Sequence, residues 1–303
     1  MKIDSDLNKQ IVSLFQEYQS KISSDFVAIN KTVEENISEW SRQNGGGGKT
    51  IILSGDRIEK AAINFSIIHD NIIPSSSQAK ALDLKKGDEF IASGLSVISH
   101  PSNPKAPTSH MNGRIFIIHN KKEIKKWWIG GGFDLTPYIP YKTDAELWHK
   151  GAKDFLNKFN KTYYSKFAKN CDEYFYLPHR DERRGIGGIF FDNFKHKNIT
   201  SSLSLLANMF ETYLTSYKKI INRRLNSKFS TDEKEFQLYR RGRYVEFNLL
   251  FDRGTKFGIE SGGRTDSILA SLPQNVAWPG KLTSKQISMN KKLNDFLSND
   301  WHA

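Results

Sequence analysis

The chain has 303 residues, 38 % hydrophobic and 12 % aromatic, a formal net charge of +12 and one cysteine. That supports a sizeable core, while the lone Cys171 excludes an internal disulfide, an all-cysteine iron–sulfur cluster and a zinc ribbon, and suits a reducing compartment. The positive charge attracts anions, but it lies in short runs such as Lys121-Lys122 and Lys125-Lys126 rather than in the dense block of a nucleic-acid arm. The opening MKIDSDLNKQ has no apolar signal core, and no window approaches membrane-spanning length, so a cytoplasmic protein without membrane insertion is expected. No linker, repeat or low-complexity block interrupts the chain, which predicts one domain over 1–303.

In chain order, residues 6–40 read as helix. Leu7, Ile11, Leu14, Phe15, Tyr18 and Ile22 recur at three- and four-residue steps, and Phe26, Ile29, Val33, Ile37 and Trp40 continue them. Gly45 to Gly48 then read as a loop at a helix end, with Lys49 available to an anion. GGGGKT resembles a phosphate-binding loop only in its tail: Gln43 stands where the pattern needs glycine, and no apolar strand precedes it. TIIL and RIEKAAINFSII form a hairpin across Ser54-Gly55-Asp56. Strands are expected near 90–99, 113–119, 126–134 and 186–191. Helices are expected over 142–169 and 202–222. The segment RYVEFNLLFDRGTKFGIES reads as two strands turning at Asp252-Arg253-Gly254, followed by a short helix near 265–271 and a C-terminal helix near 284–298. Hairpins dominate, which predicts an α+β fold: a large, mostly antiparallel β-sheet covered by α-helices on both faces.

Chemistry gathers where histidines stand among turn residues. His100, His110, His149 and His179 each neighbour Gly, Pro, Arg or Asp, and imidazole exchanges protons near neutral pH and binds metals. In ASGLSVISHPSNPKAPTSHMNGRIF, Pro101, Pro104 and Pro107 stiffen a loop between two strands. Ser96, His100, His110, Asn112 and Arg114 stand at its margins, and Arg114 offers a fork to a carboxylate. In WWIGGGFDLTPY the strand glycines suggest backbone approaching a large flat body. Asp134 there is either a catalytic carboxylate or a salt-bridged cap. The histidine spacing is not that of a hydrolytic zinc site, so the residues alone leave metal binding open. SGGR at 261–264 is either a second anion site or a tight turn before a helix capped by Thr265.

HPSNPKAPTSHMNGR, WWIGGGFDLTPY, CDEYFYLPHRDERRGIGGIFFD and FQLYRRGRYVEFNLLFDRGTKFGIESGGRT, in that order, resemble oxygen-dependent coproporphyrinogen III oxidases of the haem pathway, over roughly residues 35 to 280. The resemblance implies a homodimer with contacts from Tyr244 onward, a tetrapyrrole substrate, O2 as co-substrate, and decarboxylation of two propionates to vinyl groups. It implies His110 as proton donor, and Asp134 and Arg114 engaging the reacting pyrrole and propionate. Ser96, Asn112, Gly113, Arg114, Gly262, Gly263 and Arg264 match substrate-binding positions. His100, His110, His149 and His179 match positions proposed as ligands of a divalent metal, Mn or Fe. The chain departs from the family at Ala62 and Asp70, where glycine is usual. A reduced pyrrole reacts with O2 by itself, so no flavin or haem is strictly required. The alternative reading is a non-catalytic tetrapyrrole-binding protein.

Overall fold

The computed structural model describes residues 5–43, 45–71, 87–121, 123–260 and 264–302. Helix α1, Ser5–Ile29, buries Leu7, Ile11, Phe15, Ile22 and Phe26 along one stripe. Asn30 ends it: its Nδ2 donates to the Phe26 carbonyl, while its Oδ1 accepts from the Arg57 and Ile58 amides. The helix expected to run to 40 therefore stops short. Residues Val33–Ser41 form strand β1. A four-residue step such as Val33 to Ile37 fits both a helix and an alternating strand, so periodicity misassigned it.

Five further strands follow as a meander: β2 Gly46–Gly55, β3 Ile58–Asp70, β4 Glu89–Pro101, β5 Thr108–His119 and β6 Ile124–Thr136. Of the glycine run expected as a loop, Gly46 to Gly48 lie inside β2. A Cβ on Gly46 would sit 2.2 Å from the Ile67 carbonyl oxygen, so the run lets adjacent strands approach. Lys49 is paired with Glu39 at 3.3 Å. Helices α2, Lys142–Asn157, and α3, Tyr163–Tyr174, replace the one helix expected over 142–169. Asn160 breaks it by accepting from the Thr162 amide and hydroxyl. A small hairpin, β7 Tyr176–Leu177 and β8 Glu182–Arg183, leads to β9, Gly188–Phe194. Strand β9 closes a seven-stranded antiparallel sheet of order β1-β2-β3-β4-β5-β6-β9.

Helix α4, Ile199–Arg224, carries the expected stripe. The two strands expected over 243–261 are instead helix α5, Thr231–Leu250, and helix α6, Arg253–Glu260. A Ser230/Glu233 capping box starts α5, and Asp252 starts α6 by accepting from the Thr255 amide at 2.7 Å. Buried Phe236, Arg240, Tyr244, Phe247 and Asn248 fall at helical steps. Helices α7, Thr265–Leu269, and α8, Ser284–Leu297, complete the chain.

Alternation along the strands gives the sheet two faces. Leu95, Val97, Met111, Ile115, Phe133, Leu135, Ile189 and Phe191 point into the main core beneath α1 and α4. Ser96, Ile98 and His100 on β4, His110, Asn112 and Arg114 on β5, Gly130, Gly132 and Asp134 on β6, and Phe190 and Asp192 on β9 alternate with them. They face the other side, where Ala62, Ile98, Tyr244 and Ala270 pack together. The expected α+β fold, with helices on both faces of an antiparallel sheet, is what forms. Among the described residues no helix is long and apolar enough to cross a membrane.

Candidate active site

The second face brings together His110, Asp134 and an arginine the sequence did not single out. His110 and Asp134 are direct partners across β5 and β6, and His110 Nδ1 lies 2.8 Å from Asp134 Oδ1. Arg184, in the loop after β8, donates from Nη2 to Asp134 Oδ2 at 2.8 Å and from Nη1 to Asn248 Oδ1 at 3.1 Å. Its guanidinium lies between the rings of Phe175, Tyr244 and Phe247, 4.2, 4.5 and 4.7 Å from their centroids. Burial works to raise the pKa of Asp134. The charge of Arg184 and the hydrogen bond from His110 outweigh it and hold the carboxyl below its ordinary value. An ionised carboxylate only accepts, so His110 carries its proton on Nδ1 and its free lone pair on Nε2. The His110 side chain is 18 % exposed and that of Asp134 only 2 %. Asp134 therefore lies buried behind His110, with both oxygens engaged, rather than exposed for the expected contact with a pyrrole.

Two residues along β5, Asn112 presents a buried Oδ1 with no hydrogen-bond partner among the described residues. It is in register with Ser96 on β4 and Gly132 on β6. Arg114 follows on the same face, paired with Asp192 at 2.7 Å. Gly113 points the other way: a Cβ there would lie 2.5 Å from the Phe210 ring, so this glycine makes room in the core. The strand glycines expected to admit a flat body serve other neighbours. A Cβ on Gly132 would lie 2.1 Å from the Ile189 carbonyl oxygen, and one on Gly130 would meet Arg114 and Asp192. Gly262 and Gly263 lie outside the described residues. Arg264 is exposed and precedes α7, where it, not Thr265, takes the N-cap position.

The four histidines do not converge in this chain. His100 is fully buried. Its Nε2 faces the Ser271 carbonyl at 2.9 Å and its Nδ1 the Thr108 hydroxyl at 3.2 Å. His149 binds the Ile186 carbonyl at 2.9 Å and the Tyr164 hydroxyl at 3.1 Å. In each ring one nitrogen must donate to a carbonyl, and a hydroxyl occupies the other lone pair, so neither offers a free nitrogen to a cation. His179 pairs with Glu246 at 2.8 Å, as does Arg180. Among the described residues no group of three or more His, Cys, Asp or Glu could hold a metal ion. The resemblance-derived ligand set does not fit this geometry.

Burial pushes the pKa of His149 down from 6.5 to about 4, against the Ile186 carbonyl, which raises it. The folded form thus refuses a proton that the unfolded chain accepts. Its contribution is complete above pH 6.5 and is lost progressively as pH falls towards 4. Substituting His149→Gln is expected to flatten the fall in Tm over that acid range, removing a dependence on the order of 3 kcal/mol. An unchanged Tm–pH curve would contradict this assignment.

The basic run HRDERRG is largely consumed internally: Arg180 by Glu246, Glu182 by Arg240 and Arg243, Arg183 by Asp172, and Arg184 by Asp134. Nothing in the sequence sets Arg184 apart within this run, or marks Asp192 as the partner of Arg114 and Arg253. The pattern Arg-Arg-Gly was visible, but nothing local says which arginine is buried.

A buried Arg184–Asp134–His110 relay beside an exposed arginine suits acid–base chemistry on an anionic substrate. Comparison with known proteins narrows this. The model of the coproporphyrinogen III oxidase family matches residues 10–302. An oxygen-dependent coproporphyrinogen-III oxidase of Francisella tularensis subsp. novicida is 43 % identical over 303 residues, 96 % of this chain and 98 % of that protein. The similarly named protein of Francisella philomiragia subsp. philomiragia is 42 % identical over 301 residues, 96 % of this chain and 97 % of its own. The chain belongs to the coproporphyrinogen III oxidase family.

Proposed function

We propose that this chain oxidatively decarboxylates two propionates of coproporphyrinogen III to vinyl groups, giving protoporphyrinogen IX in haem biosynthesis. The observation that carries this reading is the His110–Asp134–Arg184 relay, two residues along β5 from Asn112 and four from Arg114. Each propionate loses CO2 and, from its β-carbon, a hydrogen with two electrons. O2 accepts the electrons and leaves as hydrogen peroxide after taking up two protons. The chain's part is to hold the ligand and move protons. Arg114 anchors a propionate. Asn112 Oδ1, without a hydrogen-bond partner among the described residues, accepts a pyrrole N–H. His110 exchanges a proton at Nε2, and Asp134, itself oriented by Arg184, fixes the ring and its tautomer. Ser96 lines the same row, and Arg264 stands at the start of α7, whose Ser267 meets Thr50 and Asn64. No step is routed through a metal.

A homodimer in the cytoplasm is part of the proposal. Leu249, Leu250 and Ile259, within the stretch from Tyr244 onward, are large apolar residues left exposed. Light scattering reads the mass directly, and a monomer would sink this part.

The decisive experiment is aerobic turnover of coproporphyrinogen III by metal-stripped protein, with porphyrins analysed after oxidation. Divinyl product, absent without O2, is the expected result. No conversion, with activity restored by Mn or Fe, would replace the metal-free reading. No conversion under any condition would overturn the function.

A further inference from the structure

Asp192 is paired with Arg114, the arginine to which the proposed function assigns a propionate. The pairing of β6 with β9 shifts register between Ile129 and Gly131, and next to Asp192 the backbone of Asn193 has φ 50°. Such a bulge re-aims the side chain beside it. Asp192 Oδ1 sits 2.7 Å from Arg114 Nη2 and accepts from the Asn193 amide at 2.9 Å. Its Oδ2 faces Arg253 Nη1 at 3.6 Å. One carboxylate therefore lies between two guanidiniums that come from different elements, β5 and α6.

The surroundings are shaped for that arrangement. A Cβ on Gly130 would lie 2.9 Å from both Arg114 Nε and Asp192 Oδ1, so a side chain there would shift the pair. Arg253 is held over the rings of Tyr174 and Phe190, 4.8 and 5.6 Å from their centroids. Those two rings stack at 4.1 Å. Both arginine side chains are 43 % exposed, and that of Asp192 is 20 % exposed. Water screens such bridges, which makes them exchangeable.

We propose that Asp192 is an internal competitor for the propionate site: its carboxylate occupies Arg114 and Arg253 in the free enzyme and must be displaced by a substrate carboxylate. This rests on the function proposed above. The chemistry of the two acids is the same, so the exchange leaves the number of ion pairs nearly unchanged and weakens net binding. That suits a reaction in which two propionates pass one His110. An uncontested grip on a carboxylate would hold the half-processed ligand in place, whereas a tethered competitor keeps the ligand free to shift.

The test is the affinity of full-length protein for coproporphyrin III, the oxidised and unreactive tetracarboxylate, read by quenching of tryptophan fluorescence. Asp192→Asn is isosteric and keeps an oxygen for the Asn193 amide. It is expected to tighten binding about fivefold, and Asp192→Ser is expected to tighten it as well. Adding Arg114→Gln to either should abolish the gain. Damage to the fold loosens binding, so a gain cannot come from misfolding. Unchanged or weaker binding by both single variants, with normal binding by the wild type, overturns the competitor and leaves the proposed function standing. A wild-type protein that neither binds coproporphyrin III nor converts coproporphyrinogen III overturns both.

Discussion

Asp134→Asn lowers kcat on the order of a thousandfold while KM for coproporphyrinogen III moves less than about threefold. The size of the effect comes from the tautomer. His110 donates Nδ1–H to an ionised Asp134 oxygen at 2.8 Å, which leaves Nε2 as the basic atom of the ring. An asparagine at 134 can turn its NH2 towards Nδ1, so the ring proton moves to Nε2 and the base is lost. Substrate contacts proposed for Arg114 and Asn112 lie further along β5 and are untouched. A variant whose loss appears in KM, with kcat preserved, would show Asp134 to be a binding residue instead.

Arg184→Met destabilises the protein by about 3–5 kcal/mol in denaturant unfolding. The Arg184 side chain is 1 % exposed and that of Asp134 2 %. Removing the cation strands a buried carboxylate, which either stays charged at high cost or takes up a proton. Three aromatic rings around the guanidinium also lose a partner. The double substitution Arg184→Met with Asp134→Asn removes both charges and is expected to recover most of the stability but none of the activity, a non-additivity that identifies a coupled pair. A cost below about 1 kcal/mol for Arg184→Met alone would mean that water reaches the pair and the relay is not buried.

The chain order of residues makes part of this site legible in advance. His110, Asn112 and Arg114 are spaced by two, so any strand through them sets all three on one face, with Met111, Gly113 and Ile115 on the other. Gly130, Gly132 and Asp134 repeat the device one strand over. Mistakes fell where one pattern satisfies two periods. Val33 and Ile37 fit a helix or a strand, and the apolar residues of 243–251 alternated well enough to pass for a strand although a capping box at Ser230 and Glu233 had already begun a helix. Gly46 to Gly48 pass for a loop because what they serve, close approach to the backbones of Ile67, Trp40 and Phe65, lies on other strands.

By itself, then, the sequence determined the α+β class, most strands, and the faces on which His110, Asn112, Arg114 and Asp134 stand, because side-chain direction follows from neighbours along the chain. Only the tertiary structure decided that Arg184, 50 positions beyond Asp134, is its buried counter-ion. The same holds for Asp192 between Arg114 and Arg253, and for His100 and His149, whose ring nitrogens are committed to backbone carbonyls and hydroxyls. Those pairings join residues that no local periodicity relates. They exist only once the sheet has closed, water has been excluded, and each buried charge has found the partner that offsets its lost hydration.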